Sequence, residues 1–250
     1  MNKRQKELRL AAIELIRKTG KGSSGQMLSS IDLIEGLYFG RENSRPIFKH
    51  KAAMPQWEER DYFVLSKVEA LPALYAVLEK DGYSLPSALP LQPDRKIPGI
   101  EVSVREGAYG ICAAAGIAEI MKMDHKNSHV FCLCGDYELR RGMAWEVIQT
   151  AAERRLDRLC LVVDENDPRS EFTQEKFESF GWKVIKLKDA HDHDEVVYGY
   201  MRARLTLRKP TCILAKTKKS AGIAFAERKP EYDHAVFSDA EFQEIKKILI

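Results

Sequence analysis

Four short apolar runs end in residues that could do chemistry. DYFVL leads into Ser66-Lys67, HVFCLC into Gly135-Asp136, RLCLVV into Asp164-Glu165-Asn166, and TCILAK into Thr217-Lys218-Lys219. Each run reads as a strand, and in open parallel sheets ligands collect beyond the carboxyl ends of the strands. Carboxylate, amide, hydroxyl and ammonium groups along one edge suit a hard divalent cation bound to phosphate oxygens. Polar strand ends are also general in α/β proteins, so residue types alone leave both readings open. A second cluster, His191-Asp192-His193-Asp194-Glu195, alternates imidazole and carboxylate in the manner of a metal site. Asp192 or Asp194 capping the following helix is the simpler account, and acidic residues suit a helix N-terminus. The five cysteines are odd in number and lie mostly in apolar stretches, which argues against a disulfide or zinc framework.

The elements that must hold these residues alternate. Leu8, Ala12, Leu15 and Ile16 recur at helical spacing in a first helix ending near Gly20, and a polar KGSSGQ turn follows. Ser30 or Asp32 can cap a second helix that runs through Phe39. After the strand DYFVLS come the helix ALPALYAVLEK, a proline-rich passage and a buried alanine-rich helix from Gly107 to Met121. The order then becomes HVFCLC strand, GMAWEVIQTAAERR helix, RLCLVV strand, FTQEKFESF helix, WKVIKL strand, a helix from about Asp194 to Leu207 and TCILAK strand. Ser238 and Glu241 have the spacing of a capping box for the last helix. Such βαβα order predicts an α/β fold: a three-layer sandwich around a mainly parallel sheet.

With 250 residues, 44% of them hydrophobic, the chain is expected to form one α/β domain over 1–250, with no internal repeat or linker. Its 40 basic and 37 acidic side chains are interspersed, without the basic tract that tracks a phosphate backbone, so nucleic acid is not an expected partner. No apolar run approaches the roughly 20 residues that cross a bilayer, and the charged N-terminus does not read as a signal peptide. A cytoplasmic protein with no membrane partner is expected.

The segment GDYELRRGMAWEV, followed by LDRLCLVVDEND, resembles the thiamine diphosphate signature of the transketolase family, with Asp136 and Asn166 thirty residues apart. The similarity extends, in order, over RDYFVLSK, PGIEV, the Ala113 to Ala118 helix, FGW, KPT and Asp233-His234-Ala235. It implies the thiamine-diphosphate-binding fold and a magnesium or calcium ion bridging the cofactor diphosphate. Asp136, Asn166 and the Pro168 carbonyl would be its ligands, with Tyr137, Glu138, Gly110 and His234 beside the cofactor. The family places its cofactor between this domain and a second one that grips the aminopyrimidine. The resemblance therefore implies a separate pyrimidine-domain subunit in a heterotetramer, together with a small-molecule substrate. The alanine-rich helix and Trp145 are candidate contact surfaces for that subunit.

Several family positions are altered. The glycine after the metal aspartate is Tyr137, which adds a ring where backbone normally approaches the diphosphate. Three family histidines are replaced by Gln26, Glu69 and Gln92, so that of the implied catalytic set Gln26, Glu69, Gln92 and His234 only the last keeps an imidazole. Glutamine cannot exchange protons near neutral pH. The glutamate linking paired cofactor sites is Arg141, and a glycine-rich loop has become REGAYG. The implied activity is therefore transfer or joining of a short ketol or acyl unit, distinct from ordinary sugar-phosphate transketolation. Two alternatives stand beside it: a scaffold or regulatory partner that has lost the cofactor, and cofactor-independent catalysis by Glu69 and Glu138.

Overall fold

In the computed structural model, which describes residues 1–105, 107–166 and 173–250, five parallel strands form the centre. They are β3 (Tyr62–Leu65), β4 (Val130–Gly135), β5 (Leu159–Glu165), β6 (Lys183–Leu187) and β7 (Thr211–Lys216). Their order across the sheet is β3-β4-β5-β7-β6, with all neighbours parallel. Strands β1 (Arg41–Glu42) and β2 (Arg45–Pro46) make a separate small antiparallel pair.

Side chains alternate between the sheet faces, as the two-residue period of a strand requires. Phe131 and Leu133 of β4 join one apolar cluster, while Cys132 and Cys134 join the other. The first cluster is covered by α1 (Lys3–Thr19), α2 (Ser24–Phe39), α3 (Leu71–Asp81), α7 (His193–Arg204) and α8 (Asp239–Leu249). The second is covered by α4 (Tyr109–Met123), α5 (Gly142–Glu153) and α6 (Thr173–Ser179). This is the three-layer α/β arrangement expected from the alternating pattern. The buried strands β3, β4, β5 and β7 need no amphipathicity, because both faces meet helices, whereas edge strand β6 leaves Lys183 and Lys186 exposed.

Local chemistry explains several boundaries. Asn2 and Gln5 exchange cap hydrogen bonds at the start of α1, which stops where Gly20 takes a left-handed φ of 64°. Asp192 caps α7 by accepting the Glu195 N–H at 2.9 Å, and Ser238 with Glu241 forms the capping box of α8. The sequence reading of α2 differs from the structure: the helix starts at Ser24, and Ser30 and Asp32 lie within it. Fifteen of its residues are buried, so Ser29, Ser30, Asp32 and Glu35 are internal partners for other elements, and no polar face marks its start.

Asp32 receives both terminal nitrogens of Arg9, at 2.7 and 2.5 Å, and contacts His191 Nδ1 at 2.7 Å. The other ring nitrogen, Nε2, accepts the Lys218 N–H at 2.9 Å, so the ring proton belongs on Nδ1 and is donated to Asp32. Burial opposes the Asp32 charge, but Arg9 and His191 outweigh it and hold this carboxyl below its ordinary range. One turn further along the helix, Glu35 pairs with Arg4 at 3.1 Å and with His193 at 2.7 Å. The histidine and acid cluster thus ties α7 to α2. No group of three or more His, Cys, Asp or Glu side chains arranged to hold a metal occurs among the described residues. No helix among them is long and apolar enough to cross a membrane.

Candidate functional site

The carboxyl edge of the sheet gathers the residues singled out by type. Parallel pairing sets Gly135 opposite Asp164, and Glu165 opposite Lys216. Asp136 opens a short 3-10 turn, Asp136–Arg140, directly after β4. Asn166 follows β5 and donates its backbone N–H to Asp136 Oδ2 at 2.9 Å. The two residues thirty apart in sequence are therefore neighbours across adjacent strands. Both offer hard oxygen donors, the chemistry that a magnesium-like or calcium-like ion requires. Pro168, the third ligand implied by the resemblance, lies outside the described residues.

Behind this pair sits a fully buried carboxylate. Asp164 Oδ2 accepts from Ser29 at 2.7 Å, Ser30 at 2.5 Å and the Lys67 ammonium at 2.7 Å. Its Oδ1 accepts from Asn166 Nδ2 at 3.0 Å and from the Thr217 hydroxyl. Burial pushes this carboxyl up, but the Lys67 charge and the donated hydrogen bonds bring it down to about 2. Lys67 is itself fully buried and also donates to Ser29 Oγ at 2.9 Å. Position after a strand points to Lys67 and Asp164. Ser30 reads in the sequence as a cap, and the signal that marks both Ser29 and Ser30 is a hydroxyl pair inside an otherwise apolar helix.

Glu138 is equally enclosed. Its Oε1 accepts from Ser66 Oγ at 2.5 Å and the Ala108 N–H at 2.6 Å, while Oε2 accepts the Gly135 N–H at 2.7 Å. Burial raises this carboxyl and the three donors only partly offset it. Glu138 thereby fastens the turn after β4 to β3 and to the start of α4. Gly110, in the first turn of α4, is where that helix meets β3, since a Cβ there would lie 2.5 Å from Ser66 Cβ.

Tyr137 folds back over Gly135, where any side chain would collide with its ring. Its hydroxyl donates to Glu69 Oε2 at 2.8 Å. Burial, reinforced by the charges of Glu138 and Glu69, raises the phenol far above its usual value, so it stays a donor. Two departures from the family pattern therefore interact directly. Glu69 belongs to the 3-10 turn Val68–Ala70 that precedes α3, and it lines a groove of ≈ 350 Å³ between the end of α1, the start of α3 and the 89–91 loop. Lys21, Ser23 and Arg105 also line it. Exposed His234 meets this groove through Ser23, its Nδ1 lying 3.1 Å from Ser23 Oγ. Gln92 is exposed beside groove-lining Leu91, whereas Gln26 is almost fully buried in the first turn of α2. Arg141 is exposed at the start of α5.

A parallel sheet with these groups on its carboxyl edge is the architecture of a diphosphate-binding α/β domain. The chain belongs to the transketolase family, matching the family described as "Transketolase, thiamine diphosphate binding domain" over residues 2–249. It is similar to the 6-deoxy-6-sulfo-D-fructose transketolase subunit of Clostridium sp. (strain MSTE9), with 34% identity over 243 residues that take in 89% of this chain and 86% of the relative. A subunit of the apulose-4-phosphate transketolase of Phocaeicola vulgatus is 25% identical over 252 residues, covering 93% of this chain and 87% of that protein. Human transketolase is 30% identical over 246 residues, which are 90% of this chain but 38% of the human protein. Among solved structures, transketolase from Campylobacter jejuni superposes with a TM-score of 0.88 at 25% identity, over 100% of this chain and 43% of that one.

Proposed function

We propose that this chain is the diphosphate-binding subunit of a two-subunit transketolase-like enzyme whose active site is completed by a separate pyrimidine-binding subunit. The observation that carries the reading is the Asp136 and Asn166 pair, adjacent at the ends of β4 and β5. These two residues would hold a magnesium or calcium ion on the cofactor diphosphate, with the Pro168 carbonyl as third ligand. The oxygen donors fit such an ion. Tyr137 narrows the approach over Gly135. Thiamine diphosphate, when bound, supplies the electron sink that lets a ketol unit be cleaved and transferred.

The remaining roles fall to the protein's own side chains. Glu69, with one oxygen held by Tyr137, is an acceptor for substrate hydroxyls in the groove, and Gln26 and Gln92 are neutral replacements without proton-carrying capacity. His234 is the imidazole left to carry a proton at the rim, oriented by Ser23. The similar proteins named for a sulfonated sugar and for apulose 4-phosphate support a short ketol transfer on a ketose outside ordinary sugar-phosphate transketolation.

The outer face of α4 suits the missing subunit. Tyr109, Ile120 and Met123 are exposed there, and Gly116 has open space before it. A cytoplasmic heterotetramer with two copies of each subunit completes the proposal.

The test is to mix the chain with its pyrimidine-domain partner and magnesium, then add thiamine diphosphate. A ligand that binds only the folded state raises the melting temperature. No shift at saturating cofactor would overturn the reading and favour the scaffold alternative, which the Tyr137 and Glu69 contact motivates. Cofactor-independent catalysis has weaker support, because both Glu138 oxygens are engaged in hydrogen bonds away from solvent.

A further inference from the structure

A carboxamide is ambiguous as a ligand, because one end accepts and the other donates. Only its oxygen can bind a cation, so a cation site built on asparagine requires that the amide be turned the right way. At this site the partner behind Asn166 decides the orientation. Asp164 is fully buried and carries five donors on its two oxygens: Ser29, Ser30 and Lys67 on Oδ2, and Thr217 and Asn166 on Oδ1. An ionised carboxylate accepts only. Asn166 can therefore meet it only through its NH2, and a flipped amide would set oxygen against oxygen. The Thr217 hydroxyl, which donates to Asp164, also offers its oxygen to Asn166 Nδ2 at 3.4 Å.

Lys67 holds the carboxylate from its far side. Its ammonium lies 2.7 Å from Asp164 Oδ2 with both side chains almost wholly removed from solvent. Together with Ser29 and Ser30 on the same oxygen, it keeps Oδ1 turned toward Asn166 and Thr217.

We infer that Lys67, Asp164 and Thr217 are positioning residues that lock the Asn166 carboxamide with its NH2 inward, leaving its carbonyl oxygen for the cation beside Asp136. The inference rests on the proposed role of Asp136 and Asn166. It assigns a task to a lysine and a carboxylate that would not themselves touch cofactor or metal. Groups that orient a metal ligand in this way commonly change metal affinity by about 10- to 100-fold when removed.

Mn2+ is the probe, titrated into the complex of this chain with its pyrimidine-domain partner at saturating thiamine diphosphate, with the free ion followed by electron paramagnetic resonance. Asp164→Asn keeps the size of the side chain but can present either oxygen or NH2 to Asn166, and Mn2+ affinity is expected to fall about 10-fold or more. Lys67→Met is expected to lose affinity in the same direction. Ser30→Ala removes one donor from the opposite carboxylate oxygen but leaves Ser29 and Lys67 on it, so it should lower the melting temperature while Mn2+ affinity stays within about two-fold of wild type. If Asp164→Asn fails to fold, Thr217→Val, which changes no charge, carries the test and should lose affinity several-fold. Tight binding by wild type with unchanged affinity in the folded variants overturns this inference alone. Failure of wild type to bind Mn2+ with the cofactor overturns the functional reading beneath it. Equal losses of Mn2+ affinity in Ser30→Ala and Asp164→Asn would reduce the network to a structural role and also overturn the inference.

Discussion

Replacing Arg9 with methionine is a direct test of what holds the first-face helices under the site. Arg9 is 1% exposed and Asp32 0%, and the pair makes two parallel hydrogen bonds. Arg9 also donates to the Ala221 carbonyl at 3.0 Å and the Gln5 carbonyl at 3.2 Å. Methionine fills much of the same volume but leaves the Asp32 carboxylate with His191 as its remaining donor among these contacts. Breaking a buried pair from one side costs about 3 to 5 kcal/mol, since an uncompensated charge stays behind. Against a typical total stability of about 5 to 15 kcal/mol this is a large loss. In urea, with slopes of roughly 2 to 3 kcal/mol per molar, the midpoint should fall by about 1 to 2.5 M. The wild-type Asp32 carboxyl sits below its ordinary value of 3.8 with Arg9 as the leading favourable charge. Its stabilising contribution is present above that value and fades as pH drops through the lowered one. In Arg9→Met the carboxyl rises, so the difference between variant and wild type should shrink once the medium is acid enough to protonate it. Arg9→Met/Asp32→Leu should recover much of the loss. A penalty under about 1 kcal/mol at pH 7, or a double variant no better than the single, would refute the reasoning.

Three further outcomes are expected. His129 is buried against Arg204 and Arg158, and burial with those charges lowers its pKa to about 3. Asp61, 4.0 Å from the ring, does not reverse this because Arg204 already pairs with it at 2.6 Å. Between pH 6.5 and about 3 the unfolded chain takes up a proton that the folded chain refuses, so stability falls on acidification. His129→Phe should remove roughly 1 kcal/mol of that loss between pH 6.5 and 5.5, read from urea midpoints at the two values. Gly110→Ala places a Cβ within 2.6 Å of the Ser66 backbone and should cost about 1 to 3 kcal/mol, measured by thermal unfolding; an unchanged melting temperature would contradict the close approach. Glu69→Gln removes a carboxylate from the groove and should strengthen thiamine diphosphate binding in calorimetry with magnesium present, whereas weaker binding would show that the carboxylate does not oppose the diphosphate.

The sheet is legible in the sequence because its inner strands are apolar on both faces and its crossovers have helical spacing. The Asp136 and Asn166 pair is legible through the resemblance to the family signature, and the Asp192 cap through residue type. What stays hidden is long-range pairing. Lys67 directly after a strand reads as one polar strand-end group among several, yet its partner Asp164 lies 97 residues on. His191 and His193 read as helix-start residues, while their carboxylate partners sit on α2, 159 and 158 residues earlier. The start of α2 reads too late for the same reason: a helix buried all round offers no polar stripe, and its serines and acids serve other elements. The crowding of Gly135 by Tyr137 is legible from the loss of a glycine, but its bond to Glu69 requires the fold.

The thiols of this chain divide unevenly. Cys132, Cys134, Cys160 and Cys212 are walled into the sheet, and burial keeps them protonated and unreactive. Cys112 alone is half-exposed, on the outer side of α4 between Tyr109 and Gly116. Burial raises that thiol too, so alkylation there is slow and quickens as the pH rises. The protein therefore carries its own footprinting label: a maleimide that reacts at one cysteine in the isolated chain, and is excluded once a second chain covers α4, reports docking without any engineered tag.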